Sequence, residues 1–174
     1  MSPKELEAWL ERLHTESFGW ALSCASGDAA RAEDVLQTAY VRVISGRAVY
    51  GERSSFRTWL FGVIRRVALE EHRRVRTERQ RTVLLEDPKV QAVADERARP
   101  DDFESARALR AALEQLPERQ REVLHLVFYQ DMSIADASNV MEISVGSART
   151  HYERGKARLR MILEERNERP AAGT

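Results

Sequence analysis

Cysteine is nearly absent from this chain. The single one, Cys24, has no second thiol to pair with, so no internal disulfide holds the fold. It lies in an apolar helical stretch and reads as a packed thiol, which suits a reduced cytoplasm. Long apolar runs are missing too: none approaches the roughly 20 residues that a membrane span needs, so no membrane insertion is expected. The acidic, polar N-terminus is no signal peptide. Glycine and proline number only eight and five in 174 residues, and no stretch alternates β-branched with polar residues. That pattern excludes a sheet protein and leaves an almost entirely helical one. There is no glycine-rich phosphate loop, no nucleophile with a base, and no cluster of His, Cys or carboxylates at ligand spacing. Neither an enzyme, nor a cofactor, nor a metal site is therefore expected.

Net charge is the last absence, and it misleads. The 28 Lys and Arg balance 28 Asp and Glu over the chain, but not along it. Residues 57–81 hold eight arginines against three acids, whereas residues 82–104 hold three basic side chains against seven acidic ones. A phosphate backbone responds to the local field, because charges further than ~8 Å away are screened at physiological salt. Two basic blocks separated by an acidic connector can therefore meet nucleic acid despite a neutral total. With 43% hydrophobic and 32% charged residues the chain is foldable.

Apolar spacing divides the chain into helices. Pro3 to about Ser26 reads as one helix with Leu6, Trp9, Leu10, Leu13 and Trp20 inside. After Gly27, Asp28 can cap a second helix, Ala29 to about Ser45. Ala32, Val35, Leu36, Ala39, Tyr40 and Val43 form one stripe along it. A polar loop follows over 46–55, and Ser54 or Ser55 caps a third helix. Phe56, Leu60, Val63, Ile64 and Val67 form its inner stripe, which leaves Arg57, Arg65, Arg66 and Arg73 on other faces. Residues 82–104, with Pro88 and Pro100, read as a linker. A helix resumes over 105–116, and Pro117 opens another running to about Tyr129, with Gln120, Val123, Leu124, Val127 and Phe128 inside.

The last quarter carries the sharpest pattern. Ser133 with Asp136 resembles a capping box, and Ile134, Ala137 and Met141 recur at helical spacing. Ser144 can cap a longer helix bearing Arg149, His151, Tyr152, Arg154, Lys156, Arg158 and Arg160. Glu153 is the only acid between Val145 and Arg160. A short helix, a tight turn and a basic second helix make the arrangement that sets a recognition helix into the DNA major groove. The expected fold is all-α, two small helical domains with a flexible acidic linker: 1–81, linker 82–104, 105–167, and a disordered tail 168–174.

Four blocks in register are similar to one family. Ala32-Glu33-Asp34-Val35-Leu36-Gln37-Thr38-Ala39-Tyr40-Val41-Arg42-Val43 resembles the polymerase-binding segment of bacterial extracytoplasmic-function (ECF) sigma factors of the sigma-70 family. Phe56-Arg57-Thr58-Trp59-Leu60-Phe61, with Arg65 and the Arg73-Arg74 pair, resembles their promoter-melting helix. Leu116-Pro117-Glu118-Arg119-Gln120-Arg121-Glu122-Val123-Leu124 resembles the opening of their second domain, which the helix-turn-helix completes. The resemblance covers about 28–76 and 108–163. It implies a dissociable subunit that binds core RNA polymerase, recognises the −35 and −10 promoter elements, acts in a stress or environmental response and is held by an anti-sigma factor.

Site residues follow from the resemblance together with the helical faces. Glu33, Asp34, Gln37, Thr38, Val41 and Arg42 would bind core polymerase. Tyr50, Arg57, Trp59, Arg65, Arg66, Arg73 and Arg74 would take the −10 element, where an unstacked base needs an apolar or stacking pocket. Phe56 reads as packing; Trp59 either packs or stacks. Ser147, Ala148, Arg149 and His151 would approach −35 base edges, and Tyr152, Arg154, Lys156 and Arg158 the phosphates.

Some positions depart from the family pattern. Ile44 stands where Trp is common, Arg66 where Asn is, and Asp136-Ala137-Ser138 where Glu-Ile-Ala is. Met141-Glu142 lacks the usual turn glycine, so either Glu142 takes a strained backbone conformation or the turn is built differently. Two other readings compete: a stand-alone helix-turn-helix regulator, and a sigma-mimic that titrates an anti-sigma factor. The first has no use for the blocks at 29–45 and 56–74, and the second should have lost the arginines of 57–81.

Overall fold

The computed structural model describes residues 2–81 and 100–167, and among them every regular element is a helix. The elements are α1 (Pro3–Arg12), α2 (His14–Cys24), α3 (Ala29–Ile44), α4 (Phe56–Arg81), α5 (Pro100–Glu114), α6 (Glu118–Leu124), α7 (Ile134–Met141) and α8 (Val145–Asn167). The chain forms two compact units, the first containing α1–α4 and the second α5, α6 and α8. Most of the acidic stretch 82–104 and the tail 168–174 lie outside the described residues. α5 nevertheless begins at Pro100, earlier than the 105 expected.

In the first unit, α2 and α3 pack on each other and both pack on α4. The expected single helix over 3–26 is two, parted at Leu13, which is itself buried. No glycine or proline marks that break. Asp28 caps α3 as expected, accepting the Arg31 amide at 3.1 Å. Ala32, Val35, Leu36, Ala39 and Val43 are buried along α3, and Tyr40 is half-buried. Ser55, not Ser54, caps α4, its Oγ accepting the Thr58 amide at 3.1 Å. The core centres on Trp20, whose ring stacks on Phe61 at 6.1 Å and whose indole N–H donates to the Phe61 carbonyl at 3.0 Å. α4 buries its side chains as far as Ala68; from Leu69 to Glu78 none is buried.

In the second unit, α8 packs on α6 and α5. The approach to α6 is close because Gly155 has no side chain. A Cβ there would stand 3.2 Å from both the Gln120 Cβ and a Leu124 methyl carbon. Beyond Leu124 the helix widens through His125–Tyr129, with the Gln130 amide reaching back five residues to the His125 carbonyl at 3.2 Å. The extra residue in the turn rotates the face. Leu126 is buried, while Phe128, expected inside, is 60% exposed.

The turn after α7 closes through its backbone. The Ile143 amide donates to the Ser138 carbonyl at 3.1 Å, and Glu142 takes φ 55°. That is the left-handed ending usually given to glycine, so Glu142 does adopt the strained conformation. Ser133 and Ser144 cap α7 and α8, accepting the amides of Asp136 at 3.0 Å and Ser147 at 3.1 Å.

Candidate polymerase and promoter surfaces

α3 has two faces that share no residue. Opposite its buried stripe, Glu33, Asp34, Gln37, Thr38 and Val41 are all exposed, Val41 by 54%. Ile44 extends this face at 67% exposure. Beside it runs an open, apolar groove of about 510 Å³ lined by His14, Phe18, Glu33, Leu36, Gln37 and Tyr40. Arg42 does not present a free guanidinium with the others. It forms a two-pronged pair with Glu70 of α4, at 3.1 and 2.6 Å. The hydrogen bond to Arg42 holds the Glu70 carboxyl below its usual range.

Loop 46–55 and the start of α4 build an aromatic platform. Phe56 lies at its centre and is buried, as expected for a packing residue. Trp59 is 5.2 Å from Phe56 and Tyr50 5.4 Å, with 5.3 Å between Tyr50 and Trp59. Both outer rings are half-buried, so each packs on one side and offers surface on the other. The Tyr50 hydroxyl donates to the Ser54 carbonyl, which fixes the loop. Arg57 is tied to Glu16 of α2 by its Nε at 2.6 Å and lies over the Phe61 ring. Arg66, Arg73 and Arg74 are exposed. Arg65 is not: at 6% exposure it belongs to the core, contrary to its placement on an outer face.

On α8, Ser147, Arg149, Arg154 and Arg158 are exposed, and His151, Tyr152 and Lys156 are half-buried. Ala148 is fully buried and is a packing residue of the turn, out of reach of a base edge. Lys156 sits 3.2 Å from Glu153 and over the Tyr152 ring. Tyr152 in turn stacks on Phe128 at 5.9 Å. The wide turn that brings Phe128 out carries no sequence signal, and the same is true of the acids Glu16 and Glu70.

A helical unit with an aromatic and cationic end, paired with a capped helix-turn-helix, defines a two-domain transcription protein of the DNA-reading class. Family models for sigma-70 region 2 and sigma-70 region 4 match residues 8–78 and 106–159. The ECF RNA polymerase sigma factor SigX of Bacillus subtilis is 35% identical over 141 residues, 79% of this chain and 73% of that protein. SigC of Mycobacterium tuberculosis is 31% identical over 153 residues, 88% and 80%. The sigma factor RpoE from Bartonella quintana, solved with the anti-sigma factor NepR, shares the fold. Its TM-score is 0.77 at 21% identity, covering 92% of this chain and 98% of that one. The chain belongs to the ECF sigma factors of the sigma-70 family. It is a subunit that binds core RNA polymerase and directs initiation at promoters. Among the described residues no helix is long and apolar enough to cross a membrane.

Proposed function

We propose that this sigma factor docks on core polymerase through the outward face of α3, with Glu33, Asp34, Gln37, Thr38 and Val41 as contacts. The carrying observation is the separation of that face from the buried stripe: five side chains at the family's docking positions have no packing duty. The adjoining apolar groove gives the polymerase something to fill. For the −10 element, Tyr50 and Trp59 over Phe56 form the stacking surface for an unstacked base, whose release from the duplex costs a few kcal/mol. Arg57, Arg66, Arg73 and Arg74 hold the single-strand backbone. At the −35 element Ser147, Arg149 and His151 meet base edges, and Tyr152, Arg154, Lys156 and Arg158 meet phosphates.

The two functional domains are 1–81 and 105–167, joined by 82–104. The protein acts in the cytoplasm, where the polymerase is, as a non-catalytic subunit. It is held by an anti-sigma factor, a reading supported by the complex of RpoE with NepR, and acts in a stress or environmental response. Single-round transcription with core polymerase on a random promoter library tests activity and reads the motif together. In the same assay Asp34→Arg with Gln37→Ala should abolish transcription and co-purification with core. Its melting temperature should change little, since exposed helix substitutions stay within ~0.5 kcal/mol. Equal loss of folding and binding would sink the docking face.

A further inference from the structure

The Arg42–Glu70 pair calls for a role other than stability. Its side chains are 33% and 51% exposed, and exposed pairs add little to folding. Its geometry, however, is the rigid one: two parallel bonds between a planar guanidinium and a carboxylate fix both distance and angle. Its position in the fold is equally specific. Glu70 lies two residues beyond Ala68, the last buried side chain of α4 among the described ones. From there the helix projects to Arg81 without burying another described side chain, and the projecting part carries Arg73, Arg74 and Arg76. Arg42 occupies the last turn of the polymerase-facing helix, and its carbonyl accepts the Ala48 amide at 2.9 Å. One residue therefore touches α3, loop 46–55 and α4 together.

We propose that Arg42 and Glu70 are positioning residues, a strut that sets the direction of the projecting half of α4 against the docking helix and the loop beneath it. Leverage is what makes a weak pair matter. The stretch from Ala68 to Arg81 spans about 20 Å at helical rise. A tilt of about 10° at its base would displace the far end by roughly 3 Å, enough to take an arginine out of reach of a phosphate oxygen. Arg73 and Arg66 both act on the Glu70 carboxylate through space. Arg42 still holds Glu70 most strongly, which keeps the acid turned towards α3.

The proposal rests on the docking and melting assignments above, and a double-mutant cycle separates its failure from theirs. Arg42→Gln, Glu70→Gln and the double variant would be assembled with core polymerase. Core affinity would be read by fluorescence anisotropy. Strand opening would be read on a selected promoter bearing 2-aminopurine in its −10 element. Each single variant should slow opening about fivefold at unchanged core affinity. The double variant should be no slower than either single, because a strut breaks only once. Opening at the parental rate in Glu70→Gln would overturn the proposal. A double variant about 25-fold slower, the product of two independent losses, would also overturn it. So would lost core affinity in Arg42→Gln alone, which would put Arg42 on the polymerase. A fall in melting temperature large enough to explain the slower opening would make the pair merely structural. If Asp34→Arg with Gln37→Ala leaves core binding intact, the docking face is wrong, yet the cycle still decides the strut.

Discussion

The two domains differ in how firmly they hold some of their cations. In the first, Arg57 is tied to Glu16 and Arg42 to Glu70, and the rings that would take a base are packed against one another. In the second, no ion pair among the described residues engages Arg149, Arg154 or Arg158, and Lys156 meets a carboxylate of its own helix, Glu153. The difference matches the two tasks. Capturing an unstacked base requires a pocket that is already shaped, because a mobile one would lose the gain to ordering. Reading base edges in a duplex asks for long side chains that adapt to a groove, on a helix that is itself held firmly. Here the firmness comes from Gly155 against α6 and from the Ser144 cap.

Four measurements would break or sharpen this contrast. The largest effect is expected for Arg149→Ala, which should cost ~1–3 kcal/mol on the best promoter and relax preference at one base pair. Lys156→Ala should instead weaken all sequences alike and flatten the salt slope by about one. If a library selection with Arg149→Ala keeps every positional preference, Arg149 is not at a base edge.

Acid should distinguish the domains next. Burial pushes the His125 imidazole from 6.5 down to about 4. Between those values the unfolded chain binds a proton that the folded one refuses, so stability is full above pH 6.5 and falls towards pH 4. At pH 5 the second domain should have lost about 2 kcal/mol. Glu70, held below 4.5, keeps its pair at that pH. All three tryptophans lie in the first domain, so their emission reports it separately. Circular dichroism melts should show a component that drops at pH 5 while the tryptophan transition holds, and His125→Leu should remove the drop. Parallel shifts of both signals would erase the distinction.

Trp59→Ala comes third, slowing strand opening about tenfold at unchanged core affinity, in line with the ~1–3 kcal/mol of one stacked base. Normal opening would make Trp59 a packing residue only. The smallest effect belongs to Gly155→Ala. Crowding of Gln120 and Leu124 should outweigh the better helix propensity of alanine by about 1 kcal/mol. Unfolding monitored by circular dichroism should show the loss, and a stabilised protein would mean that α6 yields easily.

Side-chain period alone makes most of the first domain legible. The α3 stripe and the Asp28 cap follow from spacing, and the missing turn glycine points to the φ of Glu142. What stays hidden has physical causes. The break at Leu13 occurs without glycine or proline to announce it. Spacing misplaces Phe128 because one wide turn shifts the register, and the residues of that turn give no warning of it. Arg65 and Ala148 show the limit from the other side: charge puts one outside and motif position puts the other on DNA, yet packing takes both. The partners Glu16 and Glu70 lie 41 and 28 residues from the arginines they hold, beyond any local pattern.

The division of α3 into two non-overlapping faces also bears on how such a protein can change. Substitutions on the outward positions leave the hydrophobic interior untouched, so affinity for one host's enzyme can drift, or be rewritten by an engineer, without endangering the scaffold. A helix written this way resembles an interchangeable key: its shank is fixed by the lock it is mounted in, and its teeth are free to be recut.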